Sequence, residues 1–223
     1  MPNTYQMLQD EVASWLNRAD IADKLPGWVS MVETEILQTL RARCMVTHAT
    51  QAIDSAYITL PVDFCTMESI RDAVTGELLE LKDAWSGHWS GSTTNAWRDG
   101  AFVNSNGGPC TAYRLVHDCV EFMPHPIIPD PPDPAWQPQT VLMGWYAKPA
   151  ALVLPSDTNP VLEQLYGVYL FGCLKQGAMY ERDDEDVAKW DAAWQQAITR
   201  ANLSKQQSDY SGAPFRAEMS GVF

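Results

Sequence analysis

The feature that most constrains this chain is a change of hydrophobic period. Apolar residues recur at three-and-four spacing near both ends and fall into short β-prone runs between them. After Pro2-Asn3-Thr4, a capping sequence, Tyr5, Leu8, Val12, Trp15 and Leu16 share one helical face. Pro26 suits a first helical turn, and Trp28, Val29, Val32, Ile36, Leu37 and Leu40 form a second stripe. The helical period returns after Asn159-Pro160, where Leu162, Leu165, Tyr166, Tyr169, Leu170, Cys173, Leu174 and Tyr180 predict one long helix. Asp183 to Asp186 suit the start of a last helix, whose stripe is Val187, Trp190, Trp194, Ile198 and Ala201. Gly167, Gly172 and Gly177 would each cost roughly 1 kcal/mol against Ala in an exposed helix, so they predict close approach to another backbone.

The middle of the chain obeys a different rule. Tyr57–Leu60, Met67–Ile70, Ala112–Val116, Val120–Met123 and Thr140–Ala147 are short runs rich in β-branched and aromatic residues. His117-Asp118 sits where a two-residue hairpin turn would join two of them. Residues 86–109, rich in Ser, Gly, Asn and Thr, and residues 124–138, crowded with proline, are expected to lie outside the sheet. The expected fold class is therefore α+β. Helices from residues 1–46 and 157–206 form one bundle, residues 47–156 form an inserted antiparallel β-sheet or sandwich module with long loops, and residues 207–223 form an extended tail.

Charge narrows the partners. Against 15 Lys and Arg stand 28 Asp and Glu, a net of −13, and no part of the chain is a basic arm. Such a surface repels phosphate and anionic lipid. No apolar run long enough to span a bilayer occurs, and Asp10, Glu11 and Asp20 stand where a secretory signal would be basic and then apolar. Cys44, Cys65, Cys110, Cys119 and Cys173 are odd in number and contain no C-x-x-C pair, so they read as reduced, small apolar residues.

Residues in reactive arrangements are few. Asp183-Asp184-Glu185-Asp186 has no companion histidine, and a helix N-terminus attracts carboxylates for electrostatic reasons alone. His48, His88, His117 and His125 form no metal-spaced pair, and no G-x-S-x-G surrounds a serine. No catalytic, metal or cofactor site is expected. Trp15, Trp28, Trp190 and Trp194 read as core, whereas Trp85, Trp89, Trp97 and Trp136 lie in or beside loops. Loop tryptophans serve protein contacts or carbohydrate platforms, and a loop folded onto its own sheet buries them equally well. The tail poses the same choice: Phe215 and Phe223 would anchor an extended segment on a neighbour, or the segment is disordered in the free chain.

Taken in order, the segments resemble the head-to-tail adaptor family of tailed bacteriophages, the connector or tail tubular type. The resemblance begins with Thr4-Tyr5-x-x-Leu8-x-x-Glu11-Val12-x-x-Trp15-Leu16-Asn17-Arg18 and a second helix over Pro26–Arg43. It continues through Leu60-Pro61-Val62-Asp63-Phe64, the strand Glu68–Val74, and the stretches Gly108–Tyr113 and Glu121–Pro126. It closes with Gly144-Trp145-Tyr146-Ala147-Lys148-Pro149, the helix start Thr158-Asn159-Pro160 and an acidic turn before Trp190. The resemblance implies a non-enzymatic virion protein, made in the host cytoplasm, that forms a ring at the neck beneath the portal. That ring, typically dodecameric, would pass genomic DNA without reading its sequence and dock a tail nozzle or other tail protein. Portal and neighbour contacts would then fall on Tyr210, Phe215, Arg216, Met219 and Phe223, and loop contacts on Trp85, Trp89, Trp97 and Trp136. The competing readings are a host-glycan-binding module of the tail, built on those loop tryptophans, and a hydrolase using Asp183–Asp186 or a Cys/His pair.

Overall fold

In the computed structural model the described residues are 3–18, 20–82, 95–98, 101–104, 109–126 and 137–210. The fold is α+β, and the chain divides into two compact units: one holds the residues up to Met45 and those from Lys148 onward, the other Val46–Ala147.

The first unit is helical. Helix α1 (Tyr5–Trp15) starts where the Thr4 hydroxyl accepts from the Met7 amide at 3.4 Å, and it buries Tyr5, Leu8 and Val12. α2 (Leu25–Thr39) carries Pro26 in its first turn and buries Leu25, Trp28, Val29, Val32 and Ile36. The predicted long third helix is two. α3 (Pro160–Gln164) is capped by Asn159, and α4 (Tyr166–Glu181) follows after Leu165, whose φ of −128° and ψ of 45° interrupt the helix. An apolar stripe records spacing, and a one-residue break in ψ leaves that spacing almost untouched. α4 is the central helix, with Val168, Tyr169, Leu170, Cys173, Leu174, Gln176 and Ala178 all buried, as a helix apolar round most of its circumference must be. Arg182 adopts φ 59° at its C-cap, and the chain turns into α5 (Asp184–Tyr210). α5 buries Trp190, Trp194, Ile198 and Ala201 and continues to Tyr210, past the expected helix end at residue 206.

Two further expectations for this unit change. Trp15 is 52% exposed rather than core, because α1 ends there; its ring meets Trp190 edge-on at 5.5 Å. The glycines approach side chains, not backbones. A Cβ on Gly172 would lie 2.8 Å from both methyls of Val32, and one on Gly177 would lie 2.6 Å from Leu16 Cδ1. Gly167 meets only the Phe171 ring of its own helix, at 3.3 Å.

The second unit is strand-rich. One sheet has the order β1 (Val46–Ala52), β9 (Thr140–Ala147), β3 (Phe64–Asp72), all antiparallel, with β9 in the middle. A second has the order β2 (Tyr57–Thr59), β8 (Cys119–Met123), β7 (Ala112–Val116), β4 (Glu80–Leu81), the last pairing parallel to β7. Inward residues of both sheets make one core that includes Ile70, Tyr113, Val120, Phe122, Met143 and Trp145. Pairing of Val116 with Cys119 leaves His117-Asp118 as the two-residue turn the sequence predicts, with His117 at φ 52°.

Within the region expected to be loop over residues 86–109, β5 (Asn95–Arg98) pairs with β6 (Ala101–Asn104) as a hairpin, which among the described residues pairs with neither sheet. Its signal was present: Asp99-Gly100 between two short runs is a favoured hairpin pair.

Candidate functional site

Three of the polar networks among the described residues bear on function, and each ties elements together. The first is centred on Glu121, 4% exposed on β8. The two-residue turn puts Arg114 directly opposite it, and β2 puts Tyr57 opposite on the other side. The Arg114 guanidinium donates to Oε2, Tyr57 donates its hydroxyl hydrogen to Oε1 at 3.0 Å, and His125 Nε2 lies 2.9 Å from Oε1. Burial pushes the Glu121 carboxyl up, but hydrogen bonds from Arg114, His125 and Tyr57 outweigh it and hold the group below its ordinary value. The same carboxylate, and then burial, push the Tyr57 phenol up. A carboxylate with both oxygens engaged is built to fasten strands together rather than to take a proton from a substrate.

The second network surrounds Asn159, 3% exposed. Its oxygen caps α3 by accepting from the Leu162 amide at 2.8 Å, while its amide donates to Ala150 O and Tyr169 Oη, both at 2.9 Å. Tyr169 in turn reaches Glu33 at 3.5 Å, and the Leu152 amide donates to the same carboxylate oxygen at 3.3 Å. Burial raises the Glu33 carboxyl and the Tyr169 phenol. A cleft lined by Glu33, Ile36, Leu37, Lys148, Pro149 and Tyr169 is too small to hold an organic substrate.

In the third, Lys175 on α4 bonds Glu35 of α2 at 2.7 Å, approaches Asp191 of α5 at 3.4 Å and lies 4.4 Å from the Trp194 ring centroid. Charge thus adds to apolar contact where three helices meet.

The residues singled out from sequence do not converge on a catalytic centre. Asp183 Oδ1 accepts from the amides of Glu185 and Asp186 at 3.2 and 3.1 Å, so the acidic run caps α5. His48 lies on β1 opposite Gly144, His117 forms the hairpin turn and His125 joins Glu121; His88 lies outside the described residues. No disulfide joins the described cysteines, and burial pushes the Cys110 thiol up to about 11 and the Cys173 thiol up to about 12. Among the described residues no group of three His, Cys, Asp or Glu could hold a metal ion, and no helix is long and apolar enough to cross a membrane.

Of the expected contact residues, Tyr210 is the last residue of α5, and Trp97 lies on strand β5 opposite Phe102 rather than in a loop. Trp85, Trp89, Trp136, Phe215, Arg216, Met219 and Phe223 lie outside the described residues. The Glu121 cluster went unread in the sequence, although the turn at His117-Asp118 already forces Arg114 opposite Glu121.

A family model described as SU10 adaptor protein matches residues 3–218. No curated protein matches the chain.

Proposed function

The chain belongs to the SU10 adaptor protein family, and from that membership we propose that its copies close into a dodecameric ring at the neck of a tailed bacteriophage. The family is one of structural phage adaptors, so the chain is a virion component and not a member of an enzyme class. In the proposed arrangement the ring sits beneath the portal protein, extends the channel through which genomic DNA leaves, and offers its lower face to a tail nozzle or other tail protein. Synthesis takes place in the host cytoplasm. Portal and neighbour contacts fall to Tyr210, Phe215, Arg216, Met219 and Phe223, with Trp85, Trp89, Trp97 and Trp136 as further contacts.

The observation that carries this reading is the extent of the family match, which takes in both helical ends and the strand-rich middle. Two physical features support it. A net charge of −13 disfavours retention of DNA phosphate, as a conduit requires. The polar networks described above fasten elements and engage their own carboxylates, which suits a subunit whose product is geometry.

The test mixes the purified chain with its portal protein and images the mixture by negative stain. Rings of this chain seated on portals are expected, and a chain ending at Tyr210 is expected to lose that recruitment. If intact protein fails to join the portal, the adaptor reading fails. Rings that appear only with portal present remain in keeping with it, because binding a template shifts assembly by mass action.

A further inference from the structure

A sheet edge exposes unpaired amides and carbonyls, and proteins blunt such edges with charge, proline, bulges, brevity or a covering segment. Three of the edges in the strand-rich unit are blunted. On the outer side of β3 the Leu79 amide donates to Ile70 O and the Asp72 amide to Glu77 O, both at 2.8 Å; β3 also carries Glu68, Arg71 and Asp72 and two register shifts. β4 is two residues long and is flanked by the Lys82–Glu80 ion pair. β2 is three residues long.

Among the described residues β1 has none of these devices. It runs for seven residues, Val46–Ala52, in unbroken register with β9, and Thr47, His48, Ala49, Thr50 and Gln51 are all exposed. It contains no proline and no Lys, Arg, Asp or Glu, and among the described residues no strand pairs with its outer edge. Elsewhere in the same unit, among the described residues, the β5–β6 hairpin pairs only with itself. An isolated two-stranded hairpin is marginal in water and gains stability from a third strand.

We propose that the β5–β6 hairpin of one copy adds to the open β1 edge of the next, extending the three-stranded sheet across the subunit boundary. The inference rests on the ring reading and names the surface that closes it. An edge meeting a different element is a heterologous contact, which repeats head to tail until it closes. Main-chain hydrogen bonds supply the affinity, and the small side chains of Thr47, Ala49 and Thr50 let the added strand approach.

The experiment follows hydrogen exchange of the full chain alone and assembled on portal. In the free chain, β1 amides should alternate between slow exchange, where they face β9, and fast exchange, where they face outward. On assembly the fast set should slow by at least about tenfold, together with the hairpin amides. Thr47→Lys with Thr50→Lys should weaken ring formation by about tenfold or more, while Thr59→Lys on the short β2 edge leaves it unchanged. Circular dichroism checks that each variant folds. Rings with unchanged β1 exchange overturn this inference and leave the adaptor reading standing. Outward β1 amides already slow in the free chain overturn it as well, since an intramolecular partner then occupies the edge. Failure of the intact chain to assemble on portal overturns both.

Discussion

Gly172 and Gly167 lie on the same helix yet predict opposite responses to one added methyl group. At Gly172 the new Cβ meets both methyls of Val32 at 2.8 Å and Trp194 Nε1 at 3.1 Å, and a β-branched side chain has no alternative rotamer to retreat into. Gly172→Ala should destabilise by about 1–3 kcal/mol despite its better helix propensity. At Gly167 only the Phe171 ring is near, and a small tilt relieves it, so Gly167→Ala should raise stability by up to about 1 kcal/mol. Thermal melts should separate the pair by several degrees, at roughly 2–4 °C per kcal/mol for a chain of this size. Glu121 offers a pH test. Its carboxyl is held below the ordinary value of 4.5, so its contribution is complete above that value and is lost as pH falls toward and through the lower folded value. Tyr57, Arg114 and His125 face it from β2, β7 and the segment after β8. Glu121→Gln should cost about 2–3 kcal/mol at neutral pH, and the difference from the native chain should shrink in melts recorded on the acid side of 4.5.

Single elements were legible where period and punctuation agreed. β9 occupies Thr140–Ala147 as its alternation predicts, and the starts of α1 and α3 follow from Thr4 and Asn159 acting as caps. Misreadings have local physical causes. Leu165 breaks one stripe into α3 and α4 without disturbing its spacing. β1 carries no apolar alternation because both its faces are exposed, so a pattern defined by burial has nothing to register. β5 and β6 sit in a polar region whose composition outweighed its Asp99-Gly100 pair. The proposed assembly surface rests on resemblance alone, since contacts made in a ring would leave no periodic trace in one chain. Asp183→Ala removes the acceptor for two α5 amides and should cost about 1 kcal/mol, measured by urea unfolding with little change in slope.

Across the whole molecule, the chain leaves the helical unit at Met45 and returns at Lys148, and the first and last strands of the strand-rich unit are partners, with Val46 opposite Tyr146. Antiparallel partners lie only about 5 Å apart at their Cα atoms. Replacing Val46–Ala147 by a short Gly/Ser linker should therefore leave a helical unit that melts cooperatively with a helical circular dichroism spectrum. A gradual, featureless melt would show that the helices depend on the segment removed. Paired ends have a further consequence. A module that begins and finishes at one point can be exchanged as a cassette, so related chains could trade the strand-rich portion by recombination while keeping the helical frame.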